Sequence, residues 1–539
     1  WQTSGMPMSR FSAPSRDWFV NTFGAPTPVQ EGAWRAIADG GHVLVVAPTG
    51  SGKTLAAFLH ALDSLLQPSD RPRGTRVVYV SPLKALGVDV ERNLRVPLAG
   101  IREEAGRQGR RVSEVTVGVR SGDTPARDRD RMRRRPPDVL ITTPESLYLM
   151  LTSSARESLR DVETVIIDEI HAVAGSKRGT HLALSLERLD LLAGRDVRRV
   201  ALSATVRPVE KVAAFLGGDR DVVVVAPGTG KSWDVRVATP PLNDPWPHVE
   251  KEILDSIRRA RSTLVFANSR RAAEKLTARL NELWLDAGGG EDLARAHHGS
   301  VSKHVRAEIE DALKVGRLRA VVATSSLELG IDMGAVDQVI QISAPLSTSS
   351  ALQRFGRAGH RVGATSRGRL HTLHRGELAA AVVTVSDMIA GRIEELRIPV
   401  LALDVLAQQT VAAAAAAGDA GLEIETWLAA VRRSHPYSGL GDDAFDAVLR
   451  LLLGTYPSAD FSELRARLER RGDRLFALPG AGRLAVTSGG TIPDRGLYGV
   501  FLADGDGPGR RVGELDEEMV HETRVGETFT LGASSWTVV

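Results

Sequence analysis

The 539-residue sequence contains no cysteine, which excludes disulfide bonds and thiolate metal sites. Aromatic residues make up only 5% of the chain. No apolar run approaches the roughly 20 residues that a membrane-spanning helix needs. The first residues have neither an initiator methionine nor a signal-peptide pattern. These absences predict a soluble, cytoplasmic protein without a membrane partner, whose N-terminus is either trimmed or only partly observed.

Positive charge is concentrated in arginine. The net charge is only +3, but the isoelectric point is about 9.2. Residues 102–135 hold eleven arginines against six acidic residues and end in a basic run at 131–135. A solvated face and a phosphate-binding surface both account for such a run, because guanidinium groups match phosphate well. At about 150 residues per domain, the length predicts three or four domains.

A glycine-rich segment follows the apolar run at 43–46 and precedes a helical pattern. Such a turn directs backbone N–H groups, at the positive end of a helix dipole, toward one point. Lys53 is placed to reach a β- or γ-phosphate, and the Thr54 hydroxyl to hold Mg²⁺. The first glycine of the full phosphate-loop signature is replaced by Ala47. The predicted nucleotide-binding residues of this segment are Thr49, Gly50, Ser51, Gly52, Lys53 and Thr54.

Strand-like and helix-like patterns alternate through the first 225 residues. Short Val/Ile/Leu-rich runs of this kind predict a parallel sheet that is buried on both faces. The predicted strands are 43–46, 76–80, 115–119, 138–142, 163–167 and 199–203. Polar residues follow several of them, at the sheet edge where ligands of parallel sheets bind. Among them are Ser81, Thr143, Asp168, Glu169 and Ser203.

Asp168 and Glu169 come directly after one of these strands. An acid at this edge can order Mg²⁺ through its waters, and a second acid can orient and deprotonate an attacking water. Favourable acids at a helix N-terminus are the structural alternative. Lys53 on the same edge favours the nucleotide site.

The sequence after 226 predicts a linker over 226–240 and then a second α/β region without its own phosphate loop. Its predicted strands are 262–266, 319–323 and 336–342, and its predicted helices 249–260, 270–286 and 302–315. Glycine-spaced arginines follow in 353–361. If ATP lies between the two regions, Arg357 and Arg361 would stabilise the transferring phosphoryl group, an effect worth about 10³–10⁵ in rate.

The remaining sequence changes to helical and then to β-like patterns. Helices are predicted at 400–417, 422–433, 442–453 and 460–470, strands at 474–478 and 482–487, and further strands at 497–502, 510–515 and 528–531. Helices followed by a hairpin indicate a winged-helix module, with an accessory helical bundle as the alternative. Ile492 lies in a glycine-rich loop. It is either a plug into a neighbouring domain or a wedge between nucleobases.

Ten segments, in order, together resemble the motifs of a superfamily-2 helicase. They are 27–30, 47–54, 81–86, 143–146, 168–171, 203–205, 266–270, 297–300, 323–332 and 353–361. The amino-acid sequences of 296–303, 325–334 and 485–496 are similar to those of bacterial members of the large helicase-related (Lhr) family.

The resemblance implies an α/β fold of two tandem RecA-like parallel-sheet domains, a winged-helix domain and the start of a β-rich domain. The corresponding boundaries are 1–228, 229–395, 396–487 and 488–539. In the resembled family the last segment begins a larger domain, so the chain is predicted to be truncated within it.

The resemblance also implies an ATP- and Mg²⁺-dependent translocase that moves 3′ to 5′ on single-stranded DNA. It would unwind DNA or RNA:DNA duplexes in DNA repair, near the nucleoid. Lys53, Asp168, Glu169, Arg357 and Arg361 would be catalytic, with Thr54 and Asp168 at the metal.

The remaining implied roles fall into three groups. Gln30 would read adenine, and Gly330 and Asp332 would join the ATP site. The residues implied to couple the ATP site to movement are His171, Ser203, Thr205 and Gln353. The residues implied to contact nucleic acid are Ser81, Lys84, Thr143, Arg270, Thr324 and Ile492. His360 stands where the family has a second finger arginine, so the second finger is either His360 or Arg361.

Two other functions fit the same motifs. An RNA-remodelling ATPase would need the 2′-hydroxyl of its strand, which the sequence does not reveal. A nucleic-acid-stimulated ATPase that does not unwind is the other. The sequence does not predict an oligomeric state.

Overall fold

The computed structural model describes most of the chain, namely residues 7–48, 50–68, 74–228, 231–241, 245–328, 336–359, 364–455, 465–492, 496–503, 509–516, 520, 523–531 and 534–539. The chain forms two compact units. The first contains residues 1–229 and 395–491, and the second contains residues 230–394 and 492–539.

The first unit is built on a seven-stranded parallel sheet. Its strands are β1 (His42–Val46), β2 (Val77–Val80), β3 (Val117–Arg120), β4 (Val139–Thr142), β5 (Thr164–Ile167), β6 (Arg198–Ser203) and β7 (Val222–Val225). The spatial order is β3-β4-β2-β5-β6-β1-β7. The structure confirms the six predicted strands, and β7 is an additional edge strand.

Helices cover both faces of this sheet. They are α1 (Ala13–Phe23), α2 (Pro28–Ala38), α3 (Lys53–Leu66), α4 (Lys84–Arg107), α5 (Ala126–Arg134), α6 (Pro144–Thr152), α7 (His171–Ala174), α8 (Lys177–Ala193) and α9 (Val209–Gly217). Successive residues of β1 alternate between two cores. Val43 and Val45 lie in one core, and Leu44 and Val46 in the other. This alternation explains why the strands are apolar at nearly every position.

The second unit contains a six-stranded parallel sheet. Its strands are β8 (Trp233–Ala238), β9 (Thr263–Phe266), β10 (Ala294–His297), β11 (Ala320–Ala323), β12 (Gln338–Ile342) and β13 (Ser366–His371), in the order β10-β11-β9-β12-β13-β8. Its helices are α10 (Pro245–Arg259), α11 (Arg270–Asp286), α12 (Lys303–Lys314), α13 (Thr348–Phe355) and α14 (Leu378–Ile389). The predicted strands and helices of this region are confirmed, while β10 and β13 were not predicted.

The predicted linker at 226–240 is wrong over 233–238. These residues form β8, which pairs in parallel with β13 at the edge of the second sheet. Residues of an edge strand are only partly covered, so polar Asp234 and Arg236 alternate with apolar residues. That mixed composition, flanked by glycine and proline, is also typical of a linker.

Residues after 395 return to the first unit and form a helical module with a hairpin. Its helices are α15 (Leu403–Ala417), α16 (Ile424–Arg433), α17 (Asp442–Leu453) and α18 (Ala481–Thr487). Its strands are β14 (Leu422–Glu423), β15 (Leu468–Arg471) and β16 (Arg474–Ala477), in the antiparallel order β14-β16-β15. Helices with a β-hairpin wing form the predicted winged-helix fold.

Two predicted elements of this module are wrong in type. The predicted helix at 460–470 ends in β15, because Gly472 at a φ of 64° closes a tight hairpin with β16. Residues 456–464 lie outside the described part. The predicted strand at 482–487 belongs to helix α18, which buries Ala481 and Ala485, one helical turn apart.

The winged helix packs on α8 of the sheet domain through a buried polar contact. Gln409 on α15 donates from Nε2 to the His181 carbonyl oxygen at 3.0 Å. Its Oε1 accepts from Arg188 at 2.9 Å. Lys177, at the start of α8, pairs with Asp404 at 2.7 Å. These contacts fix the module on the helix that follows Asp168 and Glu169 in the sequence.

The last described strands form two hairpins that belong to the second unit. β17 (Leu497–Phe501) pairs with β18 (Arg511–Asp516), and β19 (Thr528–Leu531) pairs with β20 (Ser534–Thr537). The predicted strands in this region are confirmed. Within the described ranges, no helix combines the length and apolar character required to cross a membrane.

Candidate functional site

The segment between β1 and α3 has the geometry of a phosphate-binding loop. Gly50 and Gly52 adopt φ values of 81° and 84°, a conformation that favours glycine. A Cβ atom on Gly52 would lie 2.6 Å from Gln30 Nε2, so the Gln30 side chain would have to move. Lys53, the first residue of α3, donates from Nζ to the Ala47 carbonyl oxygen at 2.5 Å. The ammonium group therefore lies over the loop, where a bound phosphate would compete for it. Thr49 lies outside the described residues.

Gln30 braces this loop. Its Oε1 accepts from the Thr27 backbone N–H at 2.9 Å, and the Thr27 hydroxyl accepts from the Gln30 N–H at 3.3 Å. This reciprocal pair caps α2. Thr27 also donates to the Ser51 carbonyl oxygen at 3.1 Å, and Gln30 Nε2 lies 3.5 Å from the Gly52 carbonyl oxygen. The predicted adenine reader is thus adjacent to the phosphate loop, and its role toward adenine stays a prediction.

Asp168 and Glu169 are buried at the carboxyl end of β5. The Tyr79 hydroxyl donates to Asp168 Oδ2, and the Glu169 backbone N–H donates to Asp168 Oδ1 at 2.9 Å. Burial, followed by the charge of Glu169, raises the pKa of Asp168, while Tyr79 and Lys53 oppose the rise. Glu169 adopts a φ of 44°, a strained value for a non-glycine residue. A cation would relieve the repulsion between the two carboxylates.

The donor set fits a magnesium–nucleotide complex better than a metal ion alone. Across the described ranges, no three His, Asp or Glu side chains group closely enough to hold a metal. Mg²⁺ commonly binds through one or two protein oxygens together with phosphate oxygens and waters. Asp168 and Thr54, beside a phosphate loop, are such a set.

His171 connects the acidic pair to β6. Its Nδ1 accepts from the Ala204 backbone N–H at 3.3 Å, lies 3.3 Å from Ser203 Oγ, and lies 3.4 Å from Glu169 Oε2. Burial lowers the pKa of His171, so the ring is neutral at pH 7 with its proton on Nε2. The Ser203 carbonyl oxygen accepts from the Ala47 N–H at 3.1 Å. Hydrogen bonds thus join the phosphate loop to Ser203 and the following Ala204 to His171, and Glu169 lies beside that ring.

The structure brings together most of the predicted ATP-site residues of the first unit. Thr205, also predicted to couple, is half-buried two residues after Ser203. The sequence did not single out Tyr79, which lies in an apolar strand. Only the pairing of β2 with β5, with Tyr79 beside Ile166, shows that its hydroxyl reaches Asp168.

Three residues predicted to contact nucleic acid follow β2 and β4 at the same sheet edge. Ser81 donates to the Leu83 carbonyl oxygen at 2.8 Å, and Thr143 caps α6 by accepting from the Ser146 N–H at 3.3 Å. Lys84 pairs with Asp123 at 2.5 Å and is about half exposed. Both hydroxyls therefore serve local turns, and the contacts of all three with nucleic acid stay predictions.

Three more residues of this predicted set lie in the second unit. Arg270, which begins α11 after β9, donates to Ser300 Oγ at 3.1 Å. Thr324 follows β11 and is half-buried. Ile492 is 65% exposed, which is the accessibility that a wedge requires.

The arginine-rich segment of the second unit has two differently placed guanidinium groups. Arg357 donates to the Glu328 carbonyl oxygen at 2.6 Å. Arg354 bonds the side chains of Asn268 and Gln341, at 2.9 and 2.8 Å, and pairs with Glu328 at 2.5 Å. Arg354, to which the sequence assigned no role, therefore anchors this segment to its own domain.

Five further residues of the second unit were predicted to belong to the ATP site or to couple it to movement. Gln353 lies half-buried on α13. Gly330, Asp332, His360 and Arg361 fall outside the described residues, so the identity of the second finger stays open.

Comparisons with known proteins agree with this architecture. Residues 27–215 match the model of DEAD/DEAH box helicases, and 247–362 match the helicase conserved C-terminal domain. Residues 386–539 match the winged-helix domain of large helicase-related proteins.

A similar protein is the Lhr helicase/probable uracil glycosylase of Mycolicibacterium smegmatis. It is 55% identical over 99% of this chain, which spans 38% of that relative's length. The ATP-dependent helicase Lhr-Core of Methanothermobacter thermautotrophicus is 39% identical over 96% of this chain, which spans 61% of its length. The chain thus spans less than two thirds of these curated relatives.

A solved structure of Mycobacterium smegmatis helicase Lhr bound to single-stranded DNA and AMP-PNP superposes with a TM-score of 0.85. Its sequence is 56% identical, and the match covers 96% of this chain and 66% of that one. A match of this extent includes both sheet domains and the winged helix. The chain therefore belongs to the large helicase-related (Lhr) family of superfamily-2 helicases.

Proposed function

We propose that this chain is an ATP-driven translocase that moves 3′ to 5′ on single-stranded DNA and unwinds DNA or RNA:DNA duplexes in DNA repair. The observation that carries the proposal is the set of contacts from Ala47 through Ser203 and His171 to Glu169. These buried contacts connect the phosphate loop to the carboxyl end of β6. A change in the bound nucleotide can therefore move the loop that follows β6. The relative solved with single-stranded DNA and AMP-PNP supports this choice of ligands.

The residues of the first unit divide the work of hydrolysis. Lys53 binds phosphate oxygens in place of the Ala47 carbonyl oxygen, and Asp168 and Thr54 hold the cation. When bound, Mg²⁺ neutralises charge on the phosphates. Glu169 orients the attacking water and accepts its proton. His171 is neutral and accepts a hydrogen bond from the Ala204 N–H. A movement of Glu169 therefore shifts His171, and the shift of His171 moves the loop after β6.

The second unit contributes positive charge. Arg357 donates to a backbone carbonyl oxygen of Glu328 in this structure. We propose that the guanidinium exchanges that neutral acceptor for an oxygen of the transferring phosphoryl group. The exchange replaces a neutral acceptor with an anionic one, so the guanidinium gains the attraction of an opposite charge. Arg361, or His360, would be the second group of this kind.

Nucleic acid would be held through its phosphates. Ser81, Lys84 and Thr143 in one unit, and Arg270 and Thr324 in the other, follow the carboxyl ends of strands. Contacts of this kind position the strand without reading its sequence, as translocation requires. Lys84 would release Asp123 when it binds a phosphate.

Ile492 would act as a wedge that unstacks bases at the duplex junction. We expect Ile492→Ala to lower the rate of strand displacement severalfold and to leave DNA-stimulated ATP hydrolysis intact. The two rates are measured on the same protein preparation. Equal displacement by the variant and the parent would assign Ile492 to packing instead.

ATP hydrolysis with and without single-stranded DNA tests the proposed chemistry. We expect strong stimulation by single strands, and in Glu169→Gln a fall in kcat of about 10² or more, since that variant lacks the base. Binding of AMP-PNP to Glu169→Gln should remain close to the parent value. Glu157→Gln, an exposed acid on the same domain, is the matched control and should hydrolyse normally. Normal hydrolysis by Glu169→Gln would contradict the assigned role.

A further inference from the structure

A cavity lies at the opposite edge of the first sheet from the phosphate loop. Its volume is about 480 Å³, and its wall includes residues at the amino ends of β1, β2, β5 and β6, together with residues of α3. Small-ligand sites typically occupy about 300–1,000 Å³. β1, β5 and β6 are also the strands whose carboxyl ends lead to the phosphate loop, to Asp168 and to Ser203. The cavity therefore lies at the far ends of the strands that build the ATP site.

The cavity wall contains two arginines, one of which has a buried donor without an acceptor. Arg198 Nε is buried and donates no hydrogen bond to any residue in the described ranges. Arg195 also lines the cavity, and one of its nitrogens donates to the Val162 carbonyl oxygen at 3.0 Å. A buried guanidinium donor without an acceptor is costly in a folded protein, and an anionic ligand removes that cost.

The two carboxylates of the same wall are already engaged elsewhere. Glu163 pairs with Arg76. Asp196 accepts from Arg433 at 2.6 Å and from Arg220 at 3.0 Å. The charges of both acids are thus already paired with arginines other than Arg198.

Two imidazoles complete the polar lining. His42 Nδ1 accepts from the Arg199 backbone N–H at 3.1 Å, which leaves its proton on Nε2. Burial, and then the charges of nearby arginines, lower the pKa of His42 to about 4. Burial and then Arg198 lower the pKa of His60. At neutral pH both rings are uncharged and each can donate one N–H. The arginine charges at these rings outweigh the opposing effects of Asp196 and Asp63.

We propose that this cavity is a binding site for a small phosphate-bearing anion, with Arg198 as its principal contact and His42 and His60 as neutral donors. Charged Arg donors beside neutral N–H donors are suited to phosphate oxygens. The apolar part of the wall, from Leu65 and Val77, leaves room for a group larger than phosphate itself. The proposal does not depend on hydrolysis at the phosphate loop.

Histidine NMR signals of the full chain provide a local test, because His42 and His60 lie in this cavity and not in the ATP site. Inorganic phosphate and AMP would be the probes, at constant ionic strength set with chloride. We expect saturable shifts of the His42 and His60 signals, and an anion beside His42 should raise its pKa by about one unit or more. Arg198→Gln should weaken the apparent affinity about tenfold or more.

Two variants keep the test decisive. Arg160→Gln removes an exposed arginine from the segment before β5 and should bind both probes like the parent. His60→Leu keeps a side chain of similar size and should also weaken binding, which provides a second test if Arg198→Gln fails to fold. If His42 and His60 respond no more to phosphate or AMP than to chloride, or if Arg198→Gln binds like the parent, the proposal is overturned.

Discussion

At the scale of single residues, the main feature is a pair of buried acids held beside each other. The structure raises the pKa of Asp168, so its ionised form is costly in the folded chain without bound cation. Motif order in the sequence identified Asp168 and Glu169. The bond of Asp168 to Tyr79 and the closeness of Glu169 to His171 depend on which strands are neighbours, and a single sequence does not contain that information.

Asp168→Asn should stabilise the nucleotide-free protein while it abolishes ATP hydrolysis. Because the raised pKa makes the folded chain bind this proton more tightly than the unfolded chain, the acid lowers the free energy of unfolding increasingly as pH rises above about 4. The asparagine oxygen can still accept from Tyr79, whereas the Glu169 backbone N–H loses its acceptor, which offsets part of the gain. We expect a gain of about 1–3 kcal/mol at pH 8 in denaturant unfolding.

The pH dependence provides the control for this prediction. The stability difference between Asp168→Asn and the parent should shrink as pH falls toward 4, where both the folded and unfolded parent are protonated at this position. If the variant is less stable than the parent at pH 8, or if the difference does not change with pH, the ionised Asp168 carboxylate does not destabilise the folded chain.

At the scale of elements, the fully buried strands were predictable, whereas most of the partly covered ones were not. β1, β2, β4, β5 and β6 are apolar because both faces of the sheet are buried there. The half-buried edge strand β3 was still predictable from its valines. β8 lies at an edge, and β15 is a short strand of mixed composition that exposes three of its four residues. Because these strands are largely exposed, they contain many polar residues and lack the apolar pattern of a buried strand. The sequence therefore predicts a linker at β8 and part of a helix at β15.

The contact between α15 and α8 yields a prediction at this scale. Gln409→Ala removes three hydrogen bonds to α8, namely the one accepted from Arg188 and the two donated to the His181 carbonyl oxygen and Ser185 Oγ. The buried Arg188 guanidinium group is then poorly satisfied. We expect a loss of about 2–4 kcal/mol in unfolding of the first unit, measured by denaturant titration.

The neighbouring residue offers a matched control. Gln408 bonds the carbonyl oxygens of Ser488 and Gly490 in an exposed position. Gln408→Ala should therefore cost less than about 1 kcal/mol. If the two variants lose the same stability, the buried contact of Gln409 has no special role in holding the winged helix.

At the scale of the whole molecule, the sequence predicted the order of the domains but not the path of the chain. The chain leaves the first unit near residue 229 and returns to it at 395. The winged helix therefore shares a compact unit with the first sheet domain, although the second sheet domain separates them in sequence. The Tyr148 hydroxyl donates to the Ala485 carbonyl oxygen, more than 300 positions away in the sequence. Local sequence patterns do not predict contacts between such distant residues. The boundaries at 228, 395 and 487 stay predictions.

We propose that ATP hydrolysis at the first sheet moves this chain along single-stranded DNA. The most direct measurement is the rate at which a labelled strand is released from duplexes with a 3′ tail, a 5′ tail or no tail. We expect ATP-dependent release from 3′-tailed DNA:DNA and DNA:RNA duplexes, and none by Glu169→Gln. Three results would contradict ATP-driven 3′-to-5′ movement on DNA. They are release from 5′-tailed duplexes alone, release without ATP, and activity confined to RNA:RNA duplexes.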